Sequence, residues 1–188
     1  MLRFPNPGSS LQNFLKIFEI IYSELSGYYF DLDDMVSIVV EKNMAASSGY
    51  IGQKAIELST RKDRSRDPLY NQLKMYAELY RQLGWITSTP ESKLKFLFTP
   101  FGKFMNDSKM SEEIFIKSIL CLSYPNEVIE SKNDYYIKPF FTIFKIINLL
   151  GGFISRDEMI VYIFSNKNDY GEKNQNLIVK KILKNRKL

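Results

Sequence analysis

The stretch Pro68-Leu-Tyr-Asn-Gln-Leu-Lys-Met-Tyr-Ala-Glu-Leu-Tyr-Arg-Gln-Leu83 runs into Gly84-Trp-Ile-Thr87 and, after Ser88-Thr-Pro-Glu-Ser92, into Lys93-Leu-Lys-Phe-Leu-Phe98. Leu69, Leu73, Tyr76, Ala77, Tyr80 and Leu83 recur at helical spacing, while Asn71, Lys74, Glu78 and Arg81 fall on the other side. Pro68 suits a first helical turn, where a backbone N–H would have no partner anyway, and Gly84 stops the helix. Trp85-Ile86-Thr87 then reads as a strand. It turns over residues 88–92 and returns through Lys93–Phe98 with Leu94, Phe96 and Phe98 alternating toward the core.

Working outward toward the N-terminus, Arg61-Lys-Asp-Arg-Ser-Arg-Asp67 places four cations in six residues just ahead of that helix. Ser9-x-x-Gln12 has the form of a capping box, and Leu11, Phe14, Leu15, Phe18, Ile21, Tyr22 and Leu25 continue it as an amphipathic helix ending near Gly27. Asp31 caps a second helix through Met35, Val36, Ile38, Val39 and Val40 to about Lys42. Asp31, Asp33 and Asp34 crowd the positive end of that helix, which favours capping over metal binding. Ala45–Gly52 is rich in small residues and reads as a turn before a short helix through Ala55, Ile56 and Leu58.

Toward the C-terminus, Thr99-Pro100 opens a short helix through Phe101 and Phe104, and Ser111–Leu122 forms a connecting helix closed by Tyr124-Pro125-Asn126. Ile137–Leu150 is apolar on several faces, which predicts a helix buried among others. After Gly151-Gly152, Ser155-Arg-Asp-Glu158 is a capping box for a helix with Met159, Ile160, Ile163 and Phe164. Asn174–Leu188 reads as an amphipathic basic helix. The expected fold is mainly α: winged-helix and helix-turn-helix modules with a small β-hairpin wing. Residues 1–109 form a winged-helix module, 110–134 a connecting helix and turn, and 135–188 a second helix-turn-helix-like module with a basic C-terminal helix.

Composition narrows the chemistry. With 188 residues and 45% hydrophobic side chains, real cores can form, and the one cysteine, Cys121, lies in an apolar run that predicts burial. The absence of histidine removes the imidazole base and the usual Ser-His-Asp and Cys-His nucleophiles. Glu91-Ser-Lys93, with Asp67 upstream, has the spelling of a metal-dependent nuclease triplet, but a polar hairpin tip is the wrong setting for it. No Gly-rich phosphate loop is present. No catalytic residue and no metal or cofactor site is therefore expected in this chain, and enzyme activity stays open, requiring a further domain or subunit.

The net charge of +5 favours polyanions. The helix ahead of a hairpin wing is the element that enters the major groove of DNA, so Arg61, Lys62, Arg64, Ser65, Arg66, Asn71, Lys74 and Arg81 form the expected DNA-binding group. Arginine and asparagine read guanine and adenine edges, which makes Arg64, Arg66 and Asn71 candidates for specificity; Lys93 and Lys95 suit phosphates. Ion pairs with Asp63, Asp67 and Glu78 are the competing use of these cations. The N-terminus lacks a signal-peptide layout and no apolar run approaches membrane-spanning length, so the cytoplasm is the expected compartment.

Two stretches carry a family resemblance. Asp63-Arg-Ser-Arg-Asp67 with the following helix, Leu83-Gly-Trp-Ile86, the hairpin and Phe98-Thr-Pro-Phe-Gly102 resembles the N-terminal recognition part of AlwI-like type IIS restriction endonucleases. Ile137–Leu150 followed by Ser155-Arg-Asp-Glu158 is similar to the helix pair that recurs there. The resemblance implies recognition of double-stranded DNA in restriction and phage defence, with a separate nuclease domain or subunit as partner. Two other functions fit the same helices: a winged-helix transcriptional regulator, and a protein-interaction adapter that does not bind DNA.

Overall fold

The computed structural model describes residues 10–44, 46, 47, 50, 51, 54, 57, 67–108, 111–126, 128, 136–169 and 171–186. Most of these are helical, and the chain divides into two units between Ile114 and Phe115.

In the first unit, α1 (Leu11–Leu25) is capped by Ser10, whose hydroxyl accepts the Asn13 amide at 3.2 Å. The expected cap was its neighbour Ser9. Two adjacent serines offer the same chemistry, so the choice between them is not a local one. Helix α2 (Leu32–Glu41) has the expected cap: Asp31 accepts the amides of Asp33 and Asp34 at 2.8 and 3.1 Å, and Asp34 accepts the Asp31 amide at 2.9 Å. Two of the three clustered aspartates thus hold the start of a helix. The small-residue stretch that follows is bracketed by two short antiparallel strands, β1 (Ala46–Ser47) and β2 (Tyr50–Ile51), rather than being a turn throughout. Of the expected helix near residues 54–58, only Lys54 and Glu57 are described, both helical, and its apolar residues lie outside the described set.

Helix α3 (Pro68–Gln82) forms as its periodicity requires. Asp67, fully buried, caps it by accepting the amides of Leu69 and Tyr70 at 2.8 and 3.3 Å. Leu69, Leu73, Tyr76, Ala77 and Tyr80 are buried. Gly84 takes φ 73°, a left-handed conformation that favours glycine, and so turns the chain directly into β3 (Ile86–Thr89). Antiparallel β4 (Ser92–Phe98) returns to Thr99, whose side chain accepts the Gly102 amide at 2.9 Å and caps α4 (Pro100–Asp107).

The core of this unit is aromatic. Trp85 has no solvent exposure and lies 4.8 Å from Phe18, 5.7 Å from Phe14 and 5.6 Å from Tyr80, the last pair stacked. The Tyr80 hydroxyl donates to the Phe14 carbonyl at 2.8 Å. Burial pushes the Tyr80 pKa well above its ordinary value, so the phenol stays a neutral donor. The sequence did not foreshadow one long-range pairing: Phe30 and Phe96 exchange backbone hydrogen bonds of 3.1 and 2.7 Å, which lays the segment between α1 and α2 along the hairpin.

The second unit begins within α5 (Ser111–Cys121). Cys121 is exposed, against expectation: the helix ends at this residue, and the chain buries Leu122 instead. Helix α6 (Pro139–Leu149) also departs from the reading of an all-round buried helix. Pro139, Thr142 and Ile146 are buried, whereas Phe141, Phe144 and Leu149 are exposed. Its inner face packs on α7, which opens at Arg156–Glu158 and continues as a π-helix over Met159–Phe164, and on α8 (Glu172–Asn185). Ile146, Ile154, Ile163, Ile178 and Ile182 form the core of this cluster. The Ser155 capping box is present as read: the Ser155 hydroxyl accepts the Glu158 amide at 3.2 Å and Glu158 accepts the Ser155 amide at 2.7 Å. Helix α8 is the expected amphipathic basic helix, with Ile178 and Ile182 inward and Lys180, Lys181 and Lys184 exposed.

Glu158 does a second job. Arg186, after the end of α8, grips its carboxylate with bonds of 2.7 and 2.9 Å, donates to the Phe153 carbonyl at 2.9 Å and lies over the Phe153 ring. The Arg186 guanidinium, with help from the Ser155 amide and hydroxyl, lowers the Glu158 pKa from 4.5 to about 2. A carboxyl depressed in the folded state stabilises fully above its ordinary value and loses that contribution as pH falls through the folded one. Replacing Glu158 with Gln should therefore lower Tm by a few degrees at neutral pH, and the gap to the unaltered chain should close as pH drops from about 4.5 toward 2. Melting curves across that range check this, and a gap independent of pH would contradict it.

Candidate nucleic-acid interface

The outward face of α3 is built by the periodicity that buries its inner face. Asn71, Lys74, Glu78 and Arg81 follow one another at intervals of three and four residues, so they form one stripe along the helix. Lys74 is exposed, and Asn71, Glu78 and Arg81 are half-buried. Partial burial lowers the Arg81 pKa below its ordinary value, opposed by the nearby Glu78 carboxylate. The guanidinium remains charged at any physiological pH. The stripe presents two cations, one amide and one carboxylate, a mixture that can meet both phosphates and base edges.

The hairpin adds Lys93 and Lys95, both exposed. Its turn is only two residues long, Pro90 and Glu91, and is therefore tighter than the five-residue turn expected. Leu94 does not point into the core as strand alternation predicted: it is 74% exposed, while Phe96, two residues on, is buried. Leu94 and the exposed pair Tyr28 and Tyr29, which precede the Phe30 pairing with β4, are surface residues that the sequence reading missed. Two tyrosines in a row between a helix end and an aspartate cap were the available signal.

Asn71, Lys74 and Arg81 are thus brought onto one helical stripe, and Lys93 and Lys95 onto β4, two and four residues past the turn. Arg61, Lys62, Arg64, Ser65 and Arg66 lie outside the described residues. Of the nuclease-like spelling, Asp67 caps α3 and Glu91 is exposed at the two-residue turn. Among the described residues, no helix is long and apolar enough to cross a membrane.

The first unit is mainly helical, with the β3–β4 hairpin beside α3 and a stripe of mixed charge along that helix, features that by themselves name no system. The system comes from comparison: the description AlwI restriction endonuclease matches residues 81–188, more than half of the chain. The chain belongs to the AlwI restriction endonuclease family, and its role lies in a restriction system. No curated protein matches it.

Proposed function

We propose that this chain recognises particular sequences in double-stranded DNA, as the targeting region or subunit of a type IIS restriction endonuclease whose cleavage comes from a nuclease domain or subunit. The observation that carries this reading is the chain order of the first unit: α1, the Phe30 segment paired to β4, α2, the short pair β1 and β2 with the helical Lys54 and Glu57 after it, α3, then β3 and β4. With β1 and β2 as an insertion, helices with a short strand between the first two, closed by a hairpin, follow the order of a winged helix, and in that arrangement α3 enters the major groove while the hairpin lies beside it. Asn71 and Arg81 then face base edges, and Lys74, Lys93 and Lys95 face phosphates. Arg61, Lys62, Arg64, Ser65 and Arg66 precede α3 in sequence and add contacts at its N-terminal end, with Arg64 and Arg66 contributing specificity. In this reading residues 1–109 are the recognition module, 110–134 connect, and 135–188 are a second helix-turn-helix-like module. Binding requires no cofactor, and the cytoplasm is the compartment where the target DNA is met.

The exposed Phe144 and Phe153, 60% and 64% accessible, favour a protein partner for the second unit, and the nuclease domain or subunit fits that description.

The test is selection from a random duplex pool followed by titration at several salt concentrations. Neutralising Lys74, Lys93 and Lys95 with glutamine should weaken binding to all sequences alike and reduce the slope of log affinity against log salt by about 0.9 per lost phosphate contact. Replacing Arg64 and Arg66 with alanine should also relax the sequence preference. Failure of the unaltered chain to enrich any sequence, or to bind duplex at low salt, would overturn the proposal.

A further inference from the structure

The two strands of the hairpin differ in length. Ser88 is paired with Phe96 and the next residue of β3, Thr89, with Ser92, so Lys93, Leu94 and Lys95 are looped out between successive rungs. The loop-out is pinned by specific bonds. The Ser88 hydroxyl donates to the Lys93 carbonyl at 3.2 Å, the Leu94 amide to the Ser92 hydroxyl at 3.2 Å, and the Ser92 amide to the Thr89 hydroxyl at 3.2 Å. All three looped-out residues are exposed, and Leu94 is the most exposed large apolar side chain among the described residues.

A leucine held in water adds nothing to the core, and a bulge fixed by its own hydrogen bonds re-aims side chains rather than marking a defect. The sequence of this bulge is cation, apolar, cation. Proteins that enter the minor groove use this combination: the apolar side chain wedges into a base step and partly unstacks it, while neighbouring ammonium groups meet the phosphates. The flexible stems of two lysines let their charges reach both sides of an inserted leucine.

We propose that Leu94 is a wedge that enters a base step from the minor groove and bends duplex DNA, with Lys93 and Lys95 anchoring the flanking phosphates. The inference rests on the DNA-recognition reading above and goes beyond it by assigning the hairpin a deforming role.

The experiment uses the full chain and an end-labelled duplex of about 30 base pairs, carrying the sequence that the unaltered chain enriches from a random pool. Affinity and end-to-end distance by fluorescence transfer are measured together. The unaltered chain should shorten the end-to-end distance. Leu94→Ala should bind on the order of ten-fold more weakly and leave the duplex straight, whereas Leu94→Met should keep both properties. Lys93→Gln with Lys95→Gln should lower affinity and salt dependence while the bound duplex stays bent. Because Leu94 is exposed, its alanine variant should melt at the temperature of the unaltered chain, which separates lost wedging from lost folding. A straight duplex with the unaltered chain, or an unchanged bend with Leu94→Ala, overturns the wedge and leaves DNA recognition standing. Absence of binding by the unaltered chain overturns both.

Discussion

The Gly102→Ala variant is expected to destabilise the unit holding the hairpin by about 3 kcal/mol or more. Two effects oppose each other at this site. Gly102 lies inside α4, where alanine is ordinarily the better helix former by about 1 kcal/mol. A Cβ added at Gly102, however, would sit 2.1 Å from the Trp85 carbonyl oxygen and 2.9 Å from its carbonyl carbon. Both atoms are backbone, so no side chain can swing aside. The Trp85 carbonyl is held where it is by the Thr99 amide, which donates to it at 3.1 Å, and Thr99 in turn caps α4 and donates its hydroxyl to the Gly84 carbonyl at 2.6 Å. Relieving the clash means moving α4 off the start of the hairpin, which breaks that set of bonds. The steric term wins. Thermal unfolding followed by the fluorescence of the one tryptophan, Trp85, reads the outcome, and an unchanged or higher Tm would refute it.

The second large effect is at the same junction but on the side-chain side. Trp85→Ala should cost about 3–5 kcal/mol, the range for removing a buried aromatic ring. The ring touches α1 through Phe14 and Phe18 and α3 through Tyr80, and it stands one residue before β3, so it joins three elements. Its loss leaves a cavity that none of them can fill without parting from the other two. Circular-dichroism melts of Trp85→Ala and Trp85→Phe separate ring loss from a change of ring size, with the phenylalanine variant falling between. A loss below about 1 kcal/mol for alanine, well under the usual range for such deletions, would mean that the aromatic cluster does not hold the unit together.

What the sequence revealed and what it hid follow a physical division. Asp31, Thr99 and Ser155 were readable as caps because capping is settled within one turn, between residues two or three apart. Helix α3 was readable because its apolar spacing and Pro68 agree. Leu94 was misread for the opposite reason: alternation assumes an unbroken ladder, and three looped-out residues in β4 reset it. The exposure of Cys121 and of one face of α6 was equally out of reach, since an apolar run does not say how many neighbours arrive to cover it. The π-helical turn at Met159–Phe164 and the pairing of Phe30 with Phe96 carry no local signature. At the candidate interface, the α3 stripe and the two hairpin lysines were legible, while the apolar residue between those lysines emerged only from the register.

The pairing of Phe30 with Phe96 sets the limits within which this protein can be cut. Family similarity starts at Arg81, in the last turn of α3, yet the aromatic side of the hairpin is covered by residues far upstream: Phe30 stacks on Phe98, and Phe18 meets both Trp85 and Phe98. A polypeptide begun at Arg81 would keep every matched residue and strip the cover from those rings. Such a fragment would be prone to aggregate, because the region that relatives share is smaller than the region that must be synthesised for it to hold its shape.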